Sequence, residues 1–136
     1  MKSNQKSQIL VVDNNESILG ALQASLENAG FETRTTWSGI EALELLGAGE
    51  TDVLVVDDYL PDLHATDFLE RVSRLPIQPW VVVMQSLPPK PAELSRYEKL
   101  GASAVVQKSD VRKVCGAVKA CCATGKLGKA DTVTRA

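Results

Sequence analysis

The chain has 136 residues, 44% of them apolar and 24% charged, with a formal net charge of −2. This is the size and balance of one folded domain rather than a disordered chain, and the charge supplies no general pull toward nucleic acid or a membrane. No apolar run approaches the roughly 20 residues that span a bilayer, and the polar segment 1–7 lacks the apolar core of a secretory signal, so a cytoplasmic location is expected.

Ile9-Leu10-Val11-Val12 reads as the first strand. Ile18, Leu22 and Leu26 then recur at every fourth position, one face of a helix that Gly30 ends. Phe31 to Thr36, short and rich in threonine, reads as an exposed strand near a sheet edge. Ser38 with Glu41 makes a capping box that opens a second helix carrying Ile40, Leu43 and Leu46, and Gly47 and Gly49 stop it. Val53-Leu54-Val55-Val56 is the third strand and runs into Asp57-Asp58. The third helix carries Phe68, Leu69, Val72 and Leu75 and ends before Pro76.

Trp80-Val81-Val82-Val83-Met84 is a strand of the buried type. Pro88, Pro89 and Pro91 mark a loop and a helix start; that helix presents Leu94, Tyr97 and Leu100 and stops at Gly101. Ala104-Val105-Val106 is the last strand, and Val111, Val114, Cys115, Val118 and Cys122 fall at the spacing of a last helix. Residues 125–136 read as a flexible tail or linker, which leaves 8–124 as one domain.

The pattern is strand then helix, repeated through the chain. Continuous apolar strands mark a parallel sheet buried on both faces. Parallel strands need right-handed crossovers through helices. The expected architecture is therefore an α/β fold, a doubly wound five-stranded parallel sheet flanked by five helices. Periodicity leaves the strand order open.

The three cysteines, Cys115, Cys121 and Cys122, are an odd set near the C-terminus and a poor disulfide framework. The single histidine, His64, is too remote to complete a zinc site with them. Cys115 and Cys122 lie on the apolar stripe of the last helix and are expected to be small buried side chains, with a redox role as the lesser alternative.

The polar residues at strand ends carry the chemistry. Asp13 follows the first strand, Asp57 the third, Ser86 the fourth and Lys108 the fifth. In open parallel sheets, ligands bind beyond the carboxyl ends of the strands, where the strand order reverses. An aspartate at a strand end alone often just caps the next helix, and a lysine alone is ordinarily solvated. Together they suggest a different use. Two adjacent carboxylates repel and favour a bound cation, and magnesium suits a site of one or two carboxylates with waters and phosphate oxygens. A carboxylate can accept a phosphoryl group covalently, and a metal with a lysine offsets charge on the transferring group. This reading needs Asp57 beside Asp13 and Lys108, and open to solvent.

Three stretches make the reading specific: Val11-Val12-Asp13-Asn14, Val55-Val56-Asp57-Asp58-Tyr59-Leu60-Pro61-Asp62, and Gly101-Ala102-Ser103-Ala104-Val105-Val106-Gln107-Lys108. In this order they resemble the signatures of response-regulator receiver domains, and the resemblance covers roughly residues 8–122. It implies the flavodoxin-like strand order 2-1-3-4-5 and Asp57 as phosphoacceptor. It also implies a magnesium site using Asp13, Asn14, Asp57 and the backbone carbonyl of Tyr59, with Lys108 as the family's lysine. Ser86 matches the switch hydroxyl when counted back from Gly101 and Lys108, whereas aligning the end of the valine run puts Gln85 there.

Four departures stand out. Asn14 replaces the second acid of the metal pair, Val105 the usual aromatic of the switch, Ser109 the usual proline after the lysine, and His64-Ala65 a common Asp-Gly.

The resemblance implies a non-enzymatic signalling module. A histidine kinase or phosphotransfer protein would load Asp57, and a downstream protein would read a surface around the fourth and fifth helices, through which a homodimer can also form. The alternative is a pseudo-receiver, a phosphorylation-independent interaction module. A phosphatase of the aspartyl-phosphate type would place an aspartate where Tyr59 stands. Neither a dinucleotide fingerprint nor a P-loop is present, and no basic recognition helix points to direct nucleic acid binding.

Overall fold

The computed structural model describes residues 6–88, 90–124 and 134–135. In chain order the elements are β1 (Gln8–Val12), α1 (Glu16–Asn28), β2 (Glu32–Thr36), α2 (Gly39–Gly47), β3 (Val53–Asp57) and α3 (Ala65–Val72). They continue with β4 (Trp80–Gln85), α4 (Pro91–Lys99), β5 (Ala104–Gln107), α5 (Val111–Thr124) and a two-residue β6 (Thr134–Arg135).

The sheet is parallel throughout, and its five principal strands run in the order 2-1-3-4-5, as the resemblance implied. One strand is added. Within the expected flexible tail, Thr134 and Arg135 pair in parallel with Ala104 and Val105 at the β5 edge. Residues 125–133 and 136 of that tail, and residues 1–5 of the polar N-terminal segment, lie outside the described residues.

Successive strand side chains point to opposite faces, and this sorts the core into two. Ile9, Val11, Val53, Val55, Val82, Met84 and Val106 face Leu22 and Leu26 of α1 and Val114, Val118 and Cys121 of α5. Leu10, Val12, Leu54, Val56, Val81, Val83 and Val105 face Ala42 and Leu46 of α2, Phe68 and Leu69 of α3, and Tyr97 of α4. Apolar runs on β1, β3, β4 and β5 thus fill two cores at once. β2, at the edge, exposes Glu32 and Arg34 and buries Thr33 and Thr36.

Helix starts follow local chemistry. Asn15 caps α1 by accepting from the Ile18 N–H at 3.1 Å. Ser38 caps α2 by accepting from the Glu41 N–H at 3.0 Å. The return half of the expected box is relayed: the Ser38 N–H donates to Thr36 Oγ1 at 3.1 Å, and that hydroxyl donates to the Glu41 carboxylate. Gly30 and Gly101, with φ of 99° and 100°, end α1 and α4 in the left-handed region that favours glycine. The peptide after Lys108 is trans, since no cis bond occurs among the described residues.

The cysteine expectation is corrected in part. Cys121 is the buried one, while Cys115 and Cys122 are half-buried. The register of α5 explains this: Val114, Val118 and Cys121 (i, i+4, i+7) form the inward stripe, and Cys115 and Cys122 flank it. Among the described residues no helix is long and apolar enough to cross a membrane.

Leu54 sits in the sheet centre with no exposed surface. Leu54→Ala is expected to lower unfolding free energy by about 2–5 kcal/mol, read as a lower urea midpoint with an unchanged slope.

Candidate functional site

Strand register assembles the site. Val12 pairs with Val56, so the next residues, Asp13 and Asp57, leave neighbouring strands side by side. Here the chain order reverses, with β2 on one side of β1 and β3 on the other. Gln85 pairs with Gln107, and the Lys108 N–H donates to the Gln85 carbonyl at 2.9 Å. That bond holds the lysine backbone at the end of β4, two strands from β1.

The Lys108 ammonium spans the gap. It donates to Asp57 Oδ2 at 3.1 Å and to Asp13 Oδ2 at 3.3 Å. Asp13 also accepts the Asn15 N–H on Oδ1 at 2.9 Å, and its own N–H donates to the Thr36 carbonyl at 3.1 Å. Capping of α1 thus falls to Asn15 and leaves Asp13 Oδ2 facing the site. Asp57 Oδ1 is buried and has no hydrogen-bond partner.

The three expected groups meet, but the expectation that Asp57 is open to solvent is not met. Its side chain is 2% exposed, and that of Lys108, lying across both carboxylates, is 17% exposed. The cause is the ion pairing itself, which draws the lysine stem over the acids. Asn14 is exposed and lines a groove with Trp37 and Leu19. Tyr59 is 66% exposed on the loop after Asp57. At the end of β4, Gln85 is buried with an unpartnered Oε1, whereas Ser86 is exposed.

Electrostatics follow from this burial. Burial pushes the Asp57 carboxyl up to about 6; the Asp58 charge adds to the rise and Lys108 opposes it. Burial, and then the Asp57 charge, raise Asp13 against the Asn15 N–H and Lys108. Burial disfavours the Lys108 ammonium, but the two carboxylates outweigh it and hold the group protonated beyond its ordinary range. Burial and the Asp58 charge raise the Tyr97 hydroxyl, opposed by a hydrogen bond with the Gln85 side chain.

The donor set fits a hard divalent cation. Asp13 and Asp57 offer carboxylate oxygens, one of them buried and unpartnered, and magnesium is commonly held by one or two carboxylates with water completing the shell. No cluster of three or more His, Cys, Asp or Glu residues that could hold a metal occurs among the described residues. Waters and backbone oxygen would have to supply the rest.

Asp62, which ends the stretch that begins with Val55, has a role that its sequence context does not signal. Its carboxylate accepts from Ser38 Oγ at 2.7 Å and from the Gly39 and Ile40 N–H groups at 3.0 and 3.2 Å. Those partners lie 22 to 24 residues away, beyond any local sequence signal.

Comparison with known proteins gives the family and the fold. The family model of the response regulator receiver domain matches residues 9–119. The DNA-binding transcriptional regulator NtrC of Bradyrhizobium is 31% identical over 97 residues, which cover 68% of this chain and 20% of that protein. The chain therefore spans about a fifth of that relative's length. The receiver domain of a Francisella response regulator superposes with a TM-score of 0.77 at 22% identity, covering 85% of this chain and 96% of that one. A Burkholderia pseudomallei response regulator with a phosphorylated aspartic acid, calcium ion and citrate gives 0.72 at 24% identity, covering 85% and 72%. At these identities the structural likeness shows the fold.

The raised Asp57 pKa carries a sign. Folded Asp57 keeps its proton up to about pH 6, while the unfolded group loses it near 3.8. The folded chain binds more protons in that window, so this group costs stability as pH rises through it, in full above about 6. With chelator present, Asp57→Asn is expected to gain on the order of 2 kcal/mol at neutral pH. The gain should fade toward pH 4 when urea unfolding is compared across pH.

Proposed function

Because the chain belongs to the response regulator receiver domain family, we propose that it accepts a phosphoryl group on Asp57 from a histidine kinase or phosphotransfer protein and passes the change to a downstream protein. The observation that carries the reading is the pair of hydrogen bonds from Lys108 to Asp57 and Asp13, at 3.1 and 3.3 Å. They bring two carboxylates and an ammonium into one recess at the strand ends, which supports that reading.

In this reading Asp13, Asp57 and the Tyr59 carbonyl hold Mg2+, with Asn14 at the rim. The ion, when bound, neutralises charge on the phosphoryl oxygens. A carboxylate oxygen of Asp57 forms the new P–O bond as the donor's P–N bond breaks, and the departing imidazole nitrogen keeps the bond's electron pair. Lys108 swings from the two carboxylates to the phosphoryl oxygens, which opens Asp57 to the donor. The added charge, roughly −1.5 to −2 by analogy with other phosphorylated side chains, lies at the end of β3, opposite Met84 and next to the end of β4 that carries Gln85 and Ser86. From there it biases the α4–β5–α5 face, where we place the downstream partner or a second copy of the chain. The domain acts as a cytoplasmic phosphorelay carrier, not as an enzyme, and without nucleic acid or membrane contacts of its own.

A second reading, the pseudo-receiver, is favoured by one observation. Asp57 is 2% exposed beneath Lys108, so an unmodified resting pairing is already self-sufficient. The two readings part on a single assay. With Mg2+ and a small phosphodonor such as phosphoramidate, intact-mass measurement should show one added phosphoryl group. That group should be lost in Asp57→Asn and with chelator, and Lys108→Ala should slow uptake on the order of 100-fold. No uptake by the unmodified chain would establish the pseudo-receiver instead.

A further inference from the structure

The loop after β3 runs from the proposed acceptor Asp57, through the exposed Tyr59 and the buried Leu60, to Asp62. At Asp62 it is fastened to a different part of the chain. One carboxylate oxygen takes the Gly39 N–H at 3.0 Å, while the other takes Ser38 Oγ at 2.7 Å and the Ile40 N–H at 3.2 Å. These are free donors at the start of α2, where a negative charge is also favoured by the helix dipole. Packing reinforces the clasp: a Cβ added at Gly39 would stand 3.1 Å from Leu60 Cδ1 and 3.3 Å from Leu63 Cβ. Glycine at 39 lets the loop lie directly on the helix start.

The other side of this junction reaches the site again. Thr36 donates its hydroxyl to Glu41 and accepts the Ser38 N–H at 3.1 Å, while its carbonyl accepts the Asp13 N–H at 3.1 Å. Hydrogen bonds therefore link Asp13, through Thr36 and Ser38, to Asp62, and the loop backbone returns from there to Asp57. Of the three proposed metal-binding positions, the Tyr59 carbonyl is the one that lies outside a strand and away from a strand end. Its place relative to Asp13 depends on where this loop is fixed.

We infer that Asp62 is a positioning residue for the metal site: its grip on the α2 N-terminus sets the β3–α3 loop so that the Tyr59 carbonyl and Asp13 face one ion. This rests on the magnesium reading above. Outer-shell partners of metal ligands typically govern affinity by about 10- to 100-fold, and the clasp acts one step further out, through the backbone of the loop that carries Tyr59. Asp62 is also suited to permanent duty, since its hydrogen bonds to Ser38, Gly39 and Ile40 outweigh a slight burial and hold the carboxyl below its usual range.

The test is MgCl2 titration of the full chain by calorimetry, beside thermal melts of each variant. Asp62→Ala should bind Mg2+ about tenfold more weakly or worse while remaining folded, and Asp62→Asn, which keeps one acceptor oxygen, should fall between it and the parent. Ser38→Ala serves as the capping control. It loses the bond to the Glu41 N–H and the hydroxyl bond to Asp62 but keeps both backbone bonds to Asp62, so it should melt earlier while losing less Mg2+ affinity than Asp62→Ala. Parent-like affinity in Asp62→Ala overturns the inference, as does an equal loss of affinity in Ser38→Ala. If Asp62→Ala does not fold, parent-like affinity in Asp62→Asn overturns it. An unmodified chain that takes up no Mg2+ refutes the metal reading itself, and the inference with it.

Discussion

Two carboxylates at the ends of neighbouring parallel strands cannot both stay charged in a water-poor recess unless a cation joins them. Everything at this end of the molecule is arranged around that constraint. Asp13 is wholly buried and Asp57 nearly so, and among the described residues it is the Lys108 side chain that hydrogen-bonds to both. The lysine reaches them because its backbone is tied to the end of β4. In water such a pairing contributes little. Here removing the lysine would leave two buried carboxylates without a cation, which is costly. The resting site is therefore closed by its own electrostatics, and loading it means exchanging one set of charge partners for another.

The parts of the fold that were legible in the sequence are those whose signal is local. Continuous valine-rich runs announce strands covered on both faces, and Gly30, Gly101, Ser38 and Pro91 mark helix ends where they are found. Asp13, Asp57 and Lys108 were legible because a parallel sheet gathers its strand ends, so position along the strand substitutes for distance. Their order across the sheet came from family resemblance and not from periodicity.

What was not legible depends on distant or angular detail. The clasp between Asp62 and α2 joins segments with no local pattern in common. Cys121 rather than Cys115 or Cys122 points inward because the stripe on α5 is set by Val114 and Val118, and a one-residue error in helical phase turns a side chain by about 100°. The closure of Asp57 under Lys108 follows from the path of a flexible lysine stem. The end of β4 shows the same limit: the choice between Gln85 and Ser86 turns on the last residue of a strand, and the structure gives them opposite environments, one buried and one exposed.

The two tryptophans end up in contrasting places. Trp80 starts β4 and is 7% exposed within the core, whereas Trp37 follows β2 and is 60% exposed beside the junction of Asp13, Thr36 and Ser38. The molecule thus carries two separable optical reporters. An aqueous quencher such as iodide reaches the indole at the rim and spares the one in the interior. Emission that iodide removes speaks for the neighbourhood of the acidic recess, and emission that survives speaks for the integrity of the sheet.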